Sequence, residues 1–338
     1  MLMMPQTYRL FSRGGRKGFS LAPAIAIFGC DPTEAELFEA TAPGFGASVR
    51  MTPEPPDGKN AALARGCLCA SVGHKAPVSA QTLEALAREG VRYLSTRSVG
   101  QDHIDEAAAK RLGIVVENTN YAPDGVADYT VMMMLMAVRR TESVLMRARI
   151  GDFRLEKERG RELRDLKVGI VGAGRIGRAV IRRLRGFGCA PVVWERGQAT
   201  GGTYQDLEDL LKGSDVVTLH LPLCDETRHM LDRRRLSLMK PGALLINTAR
   251  GGLIDTPALV EALENGRLGG AALDVLEEEE GIFYTDCRGK TDENPWLRRL
   301  RGLPNVMISP HTAYYTGRAL RDTVEQTFLH CAAFERSR

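Results

Sequence analysis

At 338 residues the chain is long enough for two domains, and its 43% hydrophobic and 26% charged residues exclude a disordered or fibrous protein. The net charge of +4 comes from scattered Lys and Arg, which argues against a nucleic-acid surface and suits a small anionic substrate. The seven cysteines are odd in number and show neither CxxC nor Cys/His ligand spacing; they read as reduced thiols in a cytoplasmic protein, with no metal site.

Arg9, Arg13, Arg16 and Lys17 precede a short apolar stretch, LAPAIAIF, that runs directly into GCDPTEAELFEA. We read residues 1–23 as a disordered basic extension rather than a secretory signal. From Ala24, AIAIFG, CLCASV, VRYLST and GIVVEN read as strands, and EAELFEA, AQTLEALARE and IDEAAAKRLG as helices beside them. Alternation in CLCASV points Cys67 and Cys69 to one face. Asp124 is the expected N-cap of one long helix, GVADYTVMMMLMAVRRTESVLMRAR, whose Met stripe reads as core or subunit interface. Its apolar run at 131–138 is too short to span a bilayer, so no membrane partner is expected. A second series of strands follows: KVGIV, PVVW, DVVTLH, ALLIN, GAALDV and NVMIS. The last helix places Leu320, Val324 and Phe328 on one face. The fold class is α/β, with two parallel-sheet domains and a cleft between them.

VGAGRIG places Gly172, Gly174 and Gly177 in GxGxxG spacing between a strand and a helix. Gly172 permits the tight turn, Gly174 admits a pyrophosphate, and Gly177 allows close helix–strand packing. Glu195 ends the next strand, 23 residues after Gly172 (195 − 172), where an acid accepts ribose hydroxyls and repels a 2′-phosphate. NAD is therefore favoured, and Arg196 beside Glu195 leaves NADP open.

Three segments end strands of this second series on the side where α/β sheets bind ligands: INTARGG with Arg250, LDVLEEEE with Asp274 and four glutamates, and SPHTAYYT with His311. Arg offers a planar fork to a carboxylate, His trades a proton near neutrality, and a carboxylate beside it favours the charged imidazole. That set suits reduction of a 2-keto acid by a hydride donor. The run itself does not say which of Glu277, Glu278, Glu279 and Glu280 turns inward.

YLSTRSVGQDHID, NYAPDGVADYT, VGAGRIGRAVIRRLRGFGC, INTARGGLIDT, ENGRLGGAALDVLE and PNVMISPHTAYYT together resemble the D-isomer-specific 2-hydroxyacid dehydrogenases. Within them the chain is most similar to the D-lactate dehydrogenases of vancomycin resistance, from about residue 24 to the end. The resemblance implies two Rossmann/flavodoxin-like domains, the cofactor domain inserted in the substrate domain. The substrate domain would be residues 24–120 plus 315–338, and the NAD-binding domain 121–314. It implies a catalytic trio of Arg250, Glu279 and His311, with Glu279 chosen by its place five residues after Asp274 (274 + 5), leaving Glu277, Glu278 and Glu280 solvated. It implies a substrate carboxylate on the Val99 and Gly100 amides with Arg250, and a pocket lined by Tyr121 and Tyr314. Cofactor contacts would come from Gly172, Gly174, Arg175, Ile176, Gly177, Glu195, Leu221, Pro222, Thr227, Thr248, Ala249, Arg250, Asp274 and His311. His220 would neighbour the cofactor, and His103 would be structural. The implied activity is NADH-dependent reduction of pyruvate or a close 2-keto acid to the D-hydroxy acid, supplying D-lactate for peptidoglycan ending in D-Ala-D-Lac. A homodimer joined through the cofactor domains is implied, with the VMMMLMAV helix as the candidate surface. The alternatives are a dehydrogenase for larger 2-keto acids and an NAD-responsive corepressor-like binding protein.

Overall fold

Short strands, three to six residues long and mostly apolar, build two all-parallel sheets in this computed structural model, which describes residues 24–155, 159–197, 203–289 and 294–338. The basic extension assigned to residues 1–23 lies outside the described residues.

The first sheet joins β1 (Ala24–Ile27), β2 (Ser48–Met51), β3 (Cys69–Val72), β4 (Tyr93–Thr96) and β5 (Val115–Asn118) in the order β2-β1-β3-β4-β5. This is the flavodoxin-like order. β3 and β4 are buried along their whole length, as strands covered on both faces must be. β2 alternates exposed and half-buried residues at the sheet edge, which is why it is not among the expected strands. Helices α1 (Pro32–Thr41), α2 (Ala80–Glu89) and α3 (Glu106–Arg111) connect the strands, and Asp31, Ser79 and Asp105 cap them through side-chain oxygens. Cys67 lies before β3 and packs with Ala26 and Phe28, whereas Cys69 packs with Ile25 and Phe38 on the opposite face. Strand alternation therefore does not reach back to Cys67.

Two helices follow where one was expected. α4 (Asp124–Val138) stops, Arg140 takes a left-handed φ of 53°, and α5 (Thr141–Arg149) begins. Pro123 rather than Asp124 is the residue preceding the first turn of α4. Val131, Met133, Met134 and Val138 are buried against Val168, Ile170, Leu244 and Ile246, so most of the Met stripe belongs to this half's own core. Met132 of the stripe stays exposed on α4, and further apolar surface is left outside on α5 and beyond it: Val144, Leu145, Met146, Ile150, Phe153 and Leu155.

The second sheet holds β6 (Val168–Val171), β7 (Val192–Trp194), β8 (Val216–Leu219), β9 (Ala243–Asn247), β10 (Leu268–Leu273) and β11 (Val306–Ile308), in the order β11-β10-β9-β8-β6-β7. A lone parallel bridge from Val193 to Tyr204 stands where a seventh strand would complete the dinucleotide-binding order 3-2-1-4-5-6. Helices α6 (Arg175–Gly186), α7 (Leu207–Gly213), α8 (Arg233–Leu238), α9 (Thr256–Glu264) and α10 (Pro295–Arg301) complete this half. The chain then returns: α11 (Gly317–Arg336) lays Val324, Phe328 and Cys331 against Ile25, Phe38 and Tyr93 of the first half. Among the described residues no helix is long and apolar enough to cross a membrane.

The carboxyl ends of both sheets face one cleft. Its floor at the crossing segments is a small apolar cluster of Tyr121, Val126, Ala313 and Ala319.

Candidate active site

The order of the second sheet reverses between β6 and β8, and the GxGxxG turn leaves β6 at that point. Gly172 has φ 99°, and a Cβ there would lie 2.6 Å from the His220 carbonyl oxygen. A Cβ on Gly177 would lie 2.0 Å from the Gly172 carbonyl oxygen, so any side chain would push α6 off the turn. Gly174, by contrast, faces open space, with nothing within 4 Å of a Cβ, and no side chain caps α6. The first N–H groups of α6 thus open on a cavity, which is what a pyrophosphate needs. A dinucleotide fits these residues.

The cleft in front of them has a cavity volume of about 250 Å³ and opens to solvent. Arg175, Ile176, Leu221, Pro222, Thr248 and Ala249 line it from the cofactor half, and Val99 and Gly100 from the other side, with Tyr121 and Tyr314 at the crossings. Several expected cofactor contacts are engaged with the protein itself. Arg175 donates to Asn120 Oδ1 at 2.8 Å and the Tyr121 carbonyl at 3.0 Å, clasping the segment that joins the halves. Glu195 accepts from the Ala173 N–H, so its carboxylate sits against the phosphate-binding turn. Thr248 shares a hydroxyl contact of 2.8 Å with Thr130.

Five of the expected contacts do not line the cleft: Gly172, Gly177 and Glu195 belong to the phosphate turn and its support, and Thr227 and Asp274 are committed elsewhere. Thr227 is buried, donates to the Pro222 carbonyl at 2.7 Å and accepts from Cys224 N–H at 2.9 Å, so it shapes the turn after β8. Asp274 is fully buried and accepts from Ser309 Oγ at 2.6 Å and from the Thr312 and Ala313 N–H groups at 2.9 Å each. Burial pushes its carboxyl up from the ordinary value, and these donors act against that. Its oxygens are committed to folding the segment that carries His311.

Arg250 leaves β9 through Asn247, whose side chain donates to the Arg250 carbonyl at 2.8 Å. Its Nε meets both oxygens of Asp102, at 2.9 and 3.0 Å, and one terminal nitrogen donates to the Ala249 carbonyl at 2.7 Å. Asp102 comes from the other half, in the same loop as Gly100. A Cβ on Gly100 would lie 1.7 Å from the remaining terminal nitrogen of Arg250, so only glycine admits the guanidinium there. The fork is therefore not wholly free: Asp102 takes its Nε side and the Ala249 carbonyl one N–H of a terminal nitrogen, which leaves the remaining terminal N–H groups for a substrate. Among the described residues nothing accepts a hydrogen bond from the Val99 or Gly100 N–H groups.

His311 sits at φ 52°, its N–H bonded to the Asp274 carbonyl at 2.7 Å. Its Nδ1 is 2.5 Å from Glu279 Oε1, and the other Glu279 oxygen accepts from Leu276 N–H at 2.7 Å. A carboxylate only accepts, so Nδ1 donates and Nε2 remains as the nitrogen that can exchange a proton. Glu279 is thus the glutamate of the run that reaches the His311 imidazole.

His220 lines the cleft, and burial lowers it to about 3, so it is a neutral ring there. His103 lies 3.0 Å from Thr96 Oγ1, and burial lowers it to about 4 against the opposing pull of Asp102.

The family profile described as "D-isomer specific 2-hydroxyacid dehydrogenase, NAD binding domain" matches residues 131–313. A "D-specific alpha-keto acid dehydrogenase" of Enterococcus faecalis is 51% identical over 313 residues, covering 93% of this chain and 97% of that protein. The chain belongs to the D-isomer-specific 2-hydroxyacid dehydrogenase family. It is an NAD-dependent D-2-hydroxyacid dehydrogenase. An "Aromatic 2-oxoacid reductase" of Clostridium sporogenes is 36% identical over 310 residues, covering 90% of this chain and 94% of that one. The solved structure of D-2-hydroxyisocaproate dehydrogenase superimposes with a TM-score of 0.82 at 32% identity, covering 92% of this chain and 96% of that one.

Four residues of this dehydrogenase's site escaped the sequence reading. Asp102 orients Arg250. His74 and Tyr284 stand beside His311, with ring centroids at 5.1 and 6.1 Å. Arg97 is buried at the cleft end on Glu34, at 3.0 Å, and on the Phe28 and Gly29 carbonyls, both at 2.9 Å. Only Arg97 carried a signal, as a cation at the end of the apolar strand VRYLST. Glu277, expected to be solvated, is instead paired with His229 Nε2 at 2.6 Å.

Proposed function

We propose that this dehydrogenase reduces pyruvate and close 2-keto acids such as 2-ketobutyrate to the D-hydroxy acid with NADH. The observation that supports it is the convergence of Arg250, the Gly100 loop and the His311–Glu279 pair on one cleft. In this reading the substrate carboxylate lies on the terminal nitrogens of Arg250 and the N–H groups of Val99 and Gly100. The keto oxygen meets Nε2 of His311; Glu279 stabilises the charged imidazole before the transfer, and the ring is left neutral once its Nε2 proton has gone to the oxygen that receives it as the hydride reaches the carbonyl carbon. The bound nicotinamide supplies the hydride. Asp274 and Thr227 hold loops, and Gly172, Gly174 and Gly177 with α6 take the phosphates.

Tyr121 and Tyr314 wall the space left for the substrate's side chain, which favours methyl and ethyl over benzyl. The Clostridium relative named for aromatic 2-oxoacids supports the second reading, a larger side chain. Steady-state kcat/KM on pyruvate, 2-ketobutyrate, phenylpyruvate and oxaloacetate decides between them, and chiral analysis of the lactate should find the D-isomer. The small-substrate reading fails if phenylpyruvate is preferred.

The proposed role is supply of D-lactate, in the cytoplasm, for peptidoglycan precursors ending in D-Ala-D-Lac; it is supported by the sequence resemblance alone. Deleting the gene should return such cells to vancomycin sensitivity, and added D-lactate should reverse that. The proposed domain boundaries, residues 24–120 with 315–338 and residues 121–314, are supported by the return of α11 to the first sheet. The proposed homodimer is supported by the exposed apolar surface of α5 and residues 150–155, with Met132 of the α4 stripe exposed beside them in sequence. Light scattering on a Leu145→Glu and Ile150→Glu variant, expected to yield monomers, tests it.

A further inference from the structure

The proton donor has a neighbour from the other half of the molecule. His74 stands just past β3, half-buried, with its ring 4.9 Å from that of Tyr314. Its Nε2 lies 3.0 Å from the Tyr284 hydroxyl, and that hydroxyl lies 3.1 Å from the His311 carbonyl oxygen. A carbonyl only accepts. The single hydroxyl proton therefore goes to His311, the hydroxyl oxygen accepts from His74, and His74 carries its proton on Nε2. Burial first, then the neighbouring His311 and Arg250, hold His74 well below the usual histidine range, so it is a neutral donor. Burial also pushes the Tyr284 hydroxyl up, so it keeps the proton it donates.

Tyr284 belongs to the cofactor half, in the loop that follows Glu279. Lys75, beside His74, sits 5.3 Å over its ring. The substrate half thus grips Tyr284 twice. Both Tyr284 and His311 have left-handed φ values, 65° and 52°, which such side chains keep only when their surroundings hold them there.

We propose that His74 and Tyr284 form a latch between the two halves that holds the backbone of His311, and so its imidazole, in the orientation for proton transfer. Both are positioning residues, and the proposal rests on His311 being the proton donor. The latch makes the donor complete only when the halves are together, since His74 reaches Tyr284 from the substrate side.

The test uses the full-length enzyme with NADH and either pyruvate or 2-ketobutyrate. Tyr284→Phe keeps the ring and loses the hydroxyl; His74→Leu loses the donor; His74→Gln keeps an N–H near the Nε2 position. Tyr284→Phe and His74→Leu should each lower kcat about tenfold with KM changed less than about twofold, because a misplaced donor slows chemistry rather than binding. The double variant should be no worse than either single, and His74→Gln should recover most of the loss. Amide exchange over residues 278–289 should speed up in Tyr284→Phe. Losses that appear in KM and grow with keto-acid size would make the pair a pocket wall and overturn the latch. Additive losses, or an unchanged kcat with a lower Tm, overturn it equally. His311→Gln separates the two claims: full activity there removes the proton-donor reading and the latch with it, whereas an impaired His311→Gln beside normal latch variants removes the latch alone.

Discussion

One run of four glutamates makes two histidine pairs, and they do different things. Glu279 meets His311 at 2.5 Å and Glu277 meets His229 at 2.6 Å. Both histidines have left-handed backbones, at 52° and 49°. The surroundings differ. His311 lines the cleft, with 14% of its side chain exposed, whereas His229 is 42% exposed and lies outside it. Glu277 also accepts from Thr256 at 3.2 Å, at the start of α9, and the His229 N–H is bonded to the Gly252 carbonyl at 2.8 Å. The second pair therefore braces the loops after β8, β9 and β10 behind Arg250. Gly251 packs so closely on this run that a Cβ there would lie 1.9 Å from the Leu276 carbonyl carbon. A short His–Glu contact is evidence of chemistry only where the imidazole's other nitrogen meets a cavity.

The largest expected effect breaks the two pairs one at a time. Glu279→Gln should lower kcat for keto-acid reduction on the order of a hundredfold, the usual share of a positioned acid–base group, while Glu277→Gln should stay within about threefold. Steady-state kinetics on both variants decides it; equal losses would erase the distinction between the pairs.

Next comes the loop that the second pair supports. Arg250→Lys keeps the charge but loses the planar fork and its Asp102 contact, and kcat/KM for pyruvate should fall on the order of a hundredfold. Asp102→Asn should raise KM more than it lowers kcat, because Asp102 orients the guanidinium without touching the reacting carbonyl. A normal Arg250→Lys enzyme would take Arg250 out of the site.

These residues divide sharply by how far they could be read in advance. The glycines of the phosphate turn, Arg250 and His311 were legible because each follows an apolar strand run, and the end of a parallel strand is where such sheets bind ligands. Asp102, His74 and Tyr284 were not. They are polar residues in loops, and their roles depend on one half of the molecule docking on the other, which no local pattern records. Glu277 was hidden by its neighbours: only the left-handed turn at Glu278, φ 59°, sends 277 and 279 inward and leaves 278 and 280 exposed. The sheets were legible through their buried strands, but edge strand β2 lacks an apolar run. The break at Arg140 was also illegible, since VRRTES holds neither Gly nor Pro.

Histidines without a carboxylate partner extend the comparison to pH. Burial lowers His103 to about 4 and His220 to about 3, below the ordinary 6.5. Between those values the unfolded chain binds protons that the folded one does not, so stability is present above pH 6.5 and falls as pH drops through the window. Each such histidine contributes up to about 1.4 kcal/mol per pH unit there. His103→Gln should flatten the fall in Tm between pH 6.5 and 4.5 relative to the parent. An unchanged slope would mean that His103 titrates normally.

The smallest effect belongs to the second pair itself. His229 is partly exposed, so water and salt screen its attraction to Glu277, and pairs of that kind contribute about 1 kcal/mol or less. Removing it also frees Glu277, which keeps Thr256 and is itself 22% exposed, so no buried charge is stranded. Denaturant unfolding of His229→Gln should therefore show a loss under about 1 kcal/mol. The double variant His229→Gln with Glu277→Gln should lose no more than the larger single loss, because both remove one contact. Its kcat should stay close to the parent value, since Arg250 is also held by Asn247, Ala249 and Asp102. A loss in kcat comparable with that of Glu279→Gln, at unchanged stability, would show that the brace reaches the reacting groups, and the two pairs would then have to be treated as one unit.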